Sequence, residues 1–130
     1  MNFTIGFVAQ PSDIDELGHV NNAVWVRWIQ ELATGHWATV APAEAQAAFV
    51  WVVVRHEIDY RGNVKAGESV TGSTWIETPP LGARFDRMVA FQDAAGRALV
   101  EAKTTWALID RATGRIARVP KDLAELFYGG

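Results

Sequence analysis

Apolar residues recur at spacings of three and four through one long stretch of the chain. Trp25, Trp28, Ile29, Leu32 and His36 fall on a single stripe, and Val24, Val26, Ala33 and Trp37 widen it. Arg27, Gln30, Glu31 and Thr34 are left on the polar side. The spacing predicts a helix from about Asn22 to Thr39, buried on most sides, with Gly35 as its weak point. Elsewhere the period is two. Asn2 to Ala9 reads as a short strand with Phe3, Ile5 and Phe7 on one face, ended by Gln10-Pro11-Ser12. Ala41 to Gln46 reads as a connection. Ala48 to Tyr60 is rich in β-branched and aromatic residues and too continuous for a strand with one wet face. Ser69 to Thr78 sets Val70, Gly72, Thr74 and Ile76 on one face. Arg84 to Gln92 sets Phe85, Arg87, Val89 and Phe91 on one face. Asp93 to Gly96 is a hairpin turn, and Ala98 to Ile109 is the last long strand. Pro120 suits the first turn of a small helix over Lys121 to Phe127.

One early strand, one long apolar helix and a run of strands with tight turns make an α+β chain. The simplest packing is an antiparallel sheet around the helix. The 130 residues fit one domain, 1–130, without repeats or linkers.

Composition narrows the function. A formal charge of −3, from 12 basic and 15 acidic residues, gives no global attraction to nucleic acid, so any phosphate must meet a local basic patch. With no Cys there is no disulfide, no Cys-ligated metal and no cysteine nucleophile. The three His are too scattered for convergent metal ligation: His36 reads as a helix residue and His56 as a strand residue. The longest apolar run, Ala47 to Val54, is far short of the ~20 residues needed to span a bilayer. No basic residue precedes Arg27, as a signal peptide would require, so a cytoplasmic protein is expected. Six Trp in so short a chain point to large apolar surfaces, some of them between subunits.

The candidate chemistry lies just ahead of the long helix, in Asp13-Ile-Asp15-Glu-Leu-Gly18-His19-Val-Asn21-Asn22. Gly18 permits a tight turn, and Asn21 or Asn22 is a good N-cap. The first helical turn offers unpaired N–H groups whose dipole favours negative charge. An acid such as Asp15 facing a carbonyl held by those donors is the minimum for acyl-transfer hydrolysis. The same residues would also serve as a plain capped loop, with Asp15 in an Asx turn.

Asp13-x-Asp15-x-x-Gly18-His19-Val-Asn-Asn22, followed by an aromatic-rich helix, resembles the opening of hotdog-fold thioesterases. These are the 4-hydroxybenzoyl-CoA thioesterase and acyl-acyl-carrier-protein thioesterase families. Ile58-Asp-Tyr60-Arg61 and Lys65-Ala-Gly67-Glu68 are similar to the family's second strand and its turn. The resemblance implies a hotdog fold, an antiparallel sheet wrapped on one central helix with a small C-terminal helix. It implies hydrolysis of an acyl- or aryl-CoA to free acid and CoA, with no cofactor beyond the CoA of the substrate. It aligns Asp15 with the family's catalytic acid, as nucleophile or general base, and places the Asn22 N–H where the thioester carbonyl is polarised. Gly18 then allows close approach of substrate and backbone.

His19 matches a catalytic His of the plant carrier-protein enzymes. Their partner Asn is Leu17 here, and their downstream acid falls near Asn63, so that network is incomplete. His19 stands between a catalytic and a structural role. Glu31 is the rival acid, because another hotdog subgroup uses a helix glutamate. It lies nine residues beyond Asn22, ~13 Å along a straight helix, which favours an ordinary solvated or ion-paired residue. Arg61, Lys65, Arg84 and Arg87 are candidates for CoA phosphates. Trp25 and Trp28, with Val50 to Val54, are candidates for an acyl tunnel or for plain core.

The other readings are an acyl-carrier-protein thioesterase and a non-catalytic acyl-binding or scaffold protein. A hotdog dehydratase is disfavoured because its His-Phe-Pro-Gly-type motif is absent. Exposed strand edges and the surplus of Trp predict a homodimer or homotetramer. The resemblance places the active site between subunits, with Arg61 and Lys65 serving the neighbour.

Overall fold

The computed structural model describes residues 2–128. Five strands form one antiparallel sheet in the order β1-β3-β4-β5-β2. They are β1 (Phe3–Val8), β2 (Phe49–Tyr60), β3 (Ser69–Trp75), β4 (Arg84–Asp93) and β5 (Ala98–Asp110). The long helix α1 (Asn22–Val40) lies against one face, and α2 (Ala43–Ala48) and α3 (Lys121–Tyr128) follow later. This is the α+β architecture the pattern predicts, and its wrapped helix is the hotdog arrangement.

The helix is placed by its stripe. Trp25, Trp28, Ile29, Leu32 and His36 are all buried, with Val24 and Ala33 beside them, and Arg27, Gln30, Glu31 and Thr34 are exposed. The inward faces of the strands meet that stripe, so that Phe7, Val70, Val89, Phe91 and Val100 share one core with it. Close approach is set by Gly72. A Cβ there would stand 2.8 Å from Phe91, 2.9 Å from Leu32 and 3.0 Å from Phe7. Gly35 has a similar use: a Cβ there would meet the Phe3 ring at 3.3 Å, so the weak point of the helix is where β1 crosses it. A second cluster, Phe85, Leu108, Val119, Leu123, Ala124 and Phe127, seats α3.

Two expectations need correction. The connection at Ala41 to Gln46 contains α2, entered from Pro42 as N-cap. The alanines of Ala43-Glu-Ala-Gln-Ala-Ala favour helix strongly enough to form one turn and a half between two long elements. The continuous strand at Ala48 to Tyr60 is not buried on both faces. Among the described residues β2 is an edge strand bonded only to β5, it bulges between Val53 and Arg55, and Val52, Val54 and Tyr60 are 42%, 43% and 49% exposed.

Candidate active site

The motif ahead of α1 is a small hairpin. Pro11–Asp13 forms a 3-10 turn. An antiparallel bridge then joins Ile14 to Val20, and the Asp15 N–H donates to the His19 carbonyl at 2.8 Å. Gly18 turns the tip with a φ of 82°, a left-handed conformation that a Cβ would strain. Asn21 rather than Asn22 is the N-cap: its Oδ1 accepts from the Ala23 N–H at 2.9 Å. Asn22 is therefore the first helical residue, and among the described residues its N–H donates to no protein acceptor. Asn21, Asn22 and Ala23 are all exposed, so this end of the dipole faces outward.

Asp15 is half-buried beside it. One carboxylate oxygen, Oδ1, accepts from the Leu17 N–H at 2.9 Å and the His19 N–H at 3.3 Å. The Asx turn therefore exists, and it fixes the carboxylate while Oδ2 takes no protein donor among the described residues. One hairpin thus presents a held carboxylate on one arm and a free helical N–H at the end of the other. His19 is exposed and its ring makes no hydrogen bond among the described residues.

Asp13 and Asn63 anchor the hairpin. Asp13 is 6% exposed and accepts from the Gln10 N–H at 2.9 Å and from Arg27 Nη2 at 3.0 Å. The Gln10 N–H, and then Arg27, hold its carboxyl below the usual carboxylate range against the opposing effect of burial. Its own carbonyl accepts from the Asn21 N–H at 2.9 Å, which ties the 3-10 turn to the helix cap. Asn63 clamps the other side. Its Oδ1 accepts from the Val20 N–H at 3.1 Å and the Val64 N–H at 2.8 Å, and its Nδ2 donates to the Val20 carbonyl at 3.1 Å. Both anchors are visible in the sequence, as an acid three residues after Gln10 and an Asn in the turn that follows Tyr60-Arg61.

That clamp brings the 61–68 segment to the hairpin. Arg61 and Lys65 lie within two residues of Asn63, and both are exposed. Arg61 Nη2 pairs with Glu101 at 3.2 Å. The turn is closed by Glu68 accepting from the Lys65 N–H, and it is tied to β1 through Gly67 N–H to the Ala9 carbonyl at 2.8 Å.

Three candidates fall elsewhere. Trp25 is 0% exposed, edge-on to Trp28 and Phe91, and is a core residue rather than a wall open to substrate. Arg84 pairs with Ala107, whereas the 61–62 backbone bonds Leu99. Eight residues of β5 separate those points, roughly 27 Å, so within one chain Arg84 is not at this site. Arg87 is no phosphate ligand at a turn. It is 5% exposed in mid-strand, because it shares the inward face with Phe85, Val89 and Phe91. Glu31 is half-exposed, with Arg27 Nε 3.8 Å away. Among the described residues no group of three or more His, Cys, Asp or Glu is placed to hold a metal ion, and no helix is long and apolar enough to cross a membrane.

Comparison with known proteins places the chain in a family. A family model described as the thioesterase-like superfamily matches residues 9–127. No curated protein matches the sequence. Among solved structures, a 1,4-dihydroxy-2-naphthoyl-CoA thioesterase from Synechocystis is similar at 17% identity and a TM-score of 0.80, covering 98% of this chain and 96% of that one. A predicted thioesterase from Bacillus stearothermophilus gives 21% identity and a TM-score of 0.85, with 98% and 97% covered. An acyl-ACP thioesterase from Bacteroides thetaiotaomicron gives 25% identity and a TM-score of 0.80, with 89% of this chain and 49% of that one covered.

Proposed function

The chain belongs to the thioesterase-like superfamily and is a thioester hydrolase, and from that premise we propose that it hydrolyses an acyl- or aryl-CoA with Asp15 as the reacting carboxylate. The observation that carries this reading is the pairing on one hairpin of a half-buried carboxylate, with one oxygen unbonded, and the unpartnered N–H of Asn22. The thioester carbonyl accepts from that N–H as charge develops on its oxygen, an interaction worth ~3 kcal/mol in a transition state. Asp15 then either attacks the carbonyl carbon, expelling the CoA thiolate and leaving a mixed anhydride that water hydrolyses, or draws a proton from a water that attacks the carbon, the C–S bond breaking as the thiolate leaves and takes up that proton. The Asx turn holds the carboxylate in place, and Gly18 keeps the tip free of side-chain bulk. Arg61 and Lys65, brought near by the Asn63 clamp, take the CoA phosphates of this or a neighbouring subunit.

The test is a thiol-release assay over short, long and aromatic acyl-CoAs, with an acyl-carrier-protein thioester as comparator. The reading expects saturable turnover of at least one acyl-CoA at a kcat/KM above that for the carrier-linked acyl group. Turnover confined to the carrier-linked substrate would move the assignment to an acyl-carrier-protein thioesterase.

A further inference from the structure

A second site lies in the other half of the molecule. A cavity of about 200 Å³ opens between the C-terminal half of α1, the sheet and α3, walled by Trp37, Trp51, Phe85, Trp106 and Phe127. Cavities of about 150 Å³ accept a benzene ring, so this one has room for a ring or a short chain. Thr34, on its wall, is twelve residues beyond Asn22, ~18 Å along the helix. It is therefore separate from the hairpin of the same chain.

Its polar lining is one-sided. Arg87 reaches the cavity from β4 while 95% of its surface is covered. Arg87 Nη1 donates to His36 Nδ1 at 2.9 Å and to Thr74 Oγ1 at 3.0 Å. The Thr74 hydroxyl donates onward to the Met88 carbonyl at 2.8 Å, so toward Arg87 it accepts. The Phe127 ring lies under the guanidinium, 5.3 Å from Cζ to centroid. Every one of these partners is neutral: burial, then the charge of Arg87, lower the His36 pKa to about 4. Among the described residues no carboxylate lies within 4.0 Å of the Arg87 nitrogens, and Nε and Nη2 donate to no protein group. The indole N–H groups of Trp51 and Trp106 are also buried without a partner. Arg111 adds a second cation at the lining, with its Nε on the Gln46 and Phe49 carbonyls.

A buried unpaired cation and buried unpaired donors each cost free energy. The guanidinium lines the cavity, and among the described residues no carboxylate satisfies it. We propose that this pocket binds an apolar carboxylate, its ring or chain against the aromatic walls and its anion on Arg87. A guanidinium takes a carboxylate by paired N–H bonds, and the walls select an anion carrying apolar bulk over inorganic phosphate. The carboxylate is either a free acid or the far end of a carboxyacyl group on a thioester.

Isothermal titration calorimetry with 2-naphthoate and octanoate at neutral pH tests this. Both acids should bind saturably. Their methyl esters and inorganic phosphate should bind at least tenfold more weakly. Arg87→Met, which keeps the bulk and removes the charge, should also weaken binding at least tenfold, and Asp15→Asn should leave it unchanged. Since the readout is equilibrium binding, it stands or falls apart from the hydrolase assignment. Absence of saturable acid binding, equal binding of acid and ester, or wild-type affinity in a folded Arg87→Met protein would overturn the proposal. If Arg87→Met does not fold, Thr34→Trp serves: it adds a ring at an exposed position of the wall, narrows the cavity, and should weaken acid binding severalfold. Unchanged affinity there counts against the site. The source of the carboxylate follows from kcat/KM. Arg87→Met lowers it selectively for a carboxyacyl-CoA if the group is part of the substrate, and equally little for charged and neutral acyl-CoAs if the ligand is a free acid.

Discussion

At the scale of single residues, the hairpin depends on side chains that do no chemistry. Asn63 satisfies two backbone N–H groups and one carbonyl at Val20 and Val64, both buried. Asn63→Ala should cost about 1–3 kcal/mol by denaturant unfolding. It should also lower kcat, because the loop carrying Asp15 loses its tether. His36 supplies a pH dependence. Its ring is buried beside Arg87, and its pKa falls to about 4 from an unfolded value of 6.5. Between those values the unfolded chain binds the extra proton, so stability declines as pH drops from about 6.5 toward 4. The full loss is on the order of 3 kcal/mol. His36→Gln should flatten that part of a plot of stability against pH, and an unchanged slope would show that another group is responsible. The Asx turn at Asp15, the tight turn at Gly18 and an Asn cap on the helix were legible from residue types alone. Of the two readings open for Trp25 the structure takes plain core, and Arg87 is not at a turn for a related reason: a residue's side of a strand or helix decides whether it meets solvent. The alternation that puts Arg87 with Phe85, Val89 and Phe91 already contained the correct answer.

At the scale of elements, periodicity carried most of the information. The stripe on α1 and the alternation in β1, β3 and β4 predict which faces are buried, because burial of apolar surface is what selects those faces. What the pattern could not supply was the partner of each face. The role of Gly72 illustrates this. In sequence it is a gap in an alternating strand; in space it is where Leu32 of α1, Phe7 of β1 and Phe91 of β4 converge. Gly72→Val should overpack that junction and destabilise the protein by about 1–3 kcal/mol, with Gly72→Ala less severe. Thermal unfolding checks both, and a neutral Gly72→Val would mean that the helix can lift from the sheet without penalty. The 3-10 turn at Pro11–Asp13 and the single turn and a half of α2 escaped the pattern because they are too short to show a period.

At the scale of the whole molecule, β2 is the unfinished part. Twelve residues long, it leaves one edge unbonded and presents Val52, Val54 and Tyr60 to solvent. A long edge with exposed apolar residues invites pairing with a second copy. We predict a homodimer formed along β2. Light scattering should give a mass near twice 14.3 kDa, and Val54→Lys should shift it toward one chain. A fully active single chain at assay concentration would refute the shared site. Pairing along β2 would bury the apolar residues that give this strand its continuity in sequence. The central claim, that the hairpin ahead of α1 is where the thioester is broken, rests on Asp15. Its most direct test is kcat for Asp15→Asn beside Glu31→Gln, measured by thiol release on folded protein. Loss of the carboxylate should lower kcat at least about a hundredfold, while Glu31→Gln, ~13 Å down the helix, stays within a few fold of wild type. Near-wild-type turnover by folded Asp15→Asn, or an inactive Glu31→Gln, would contradict it.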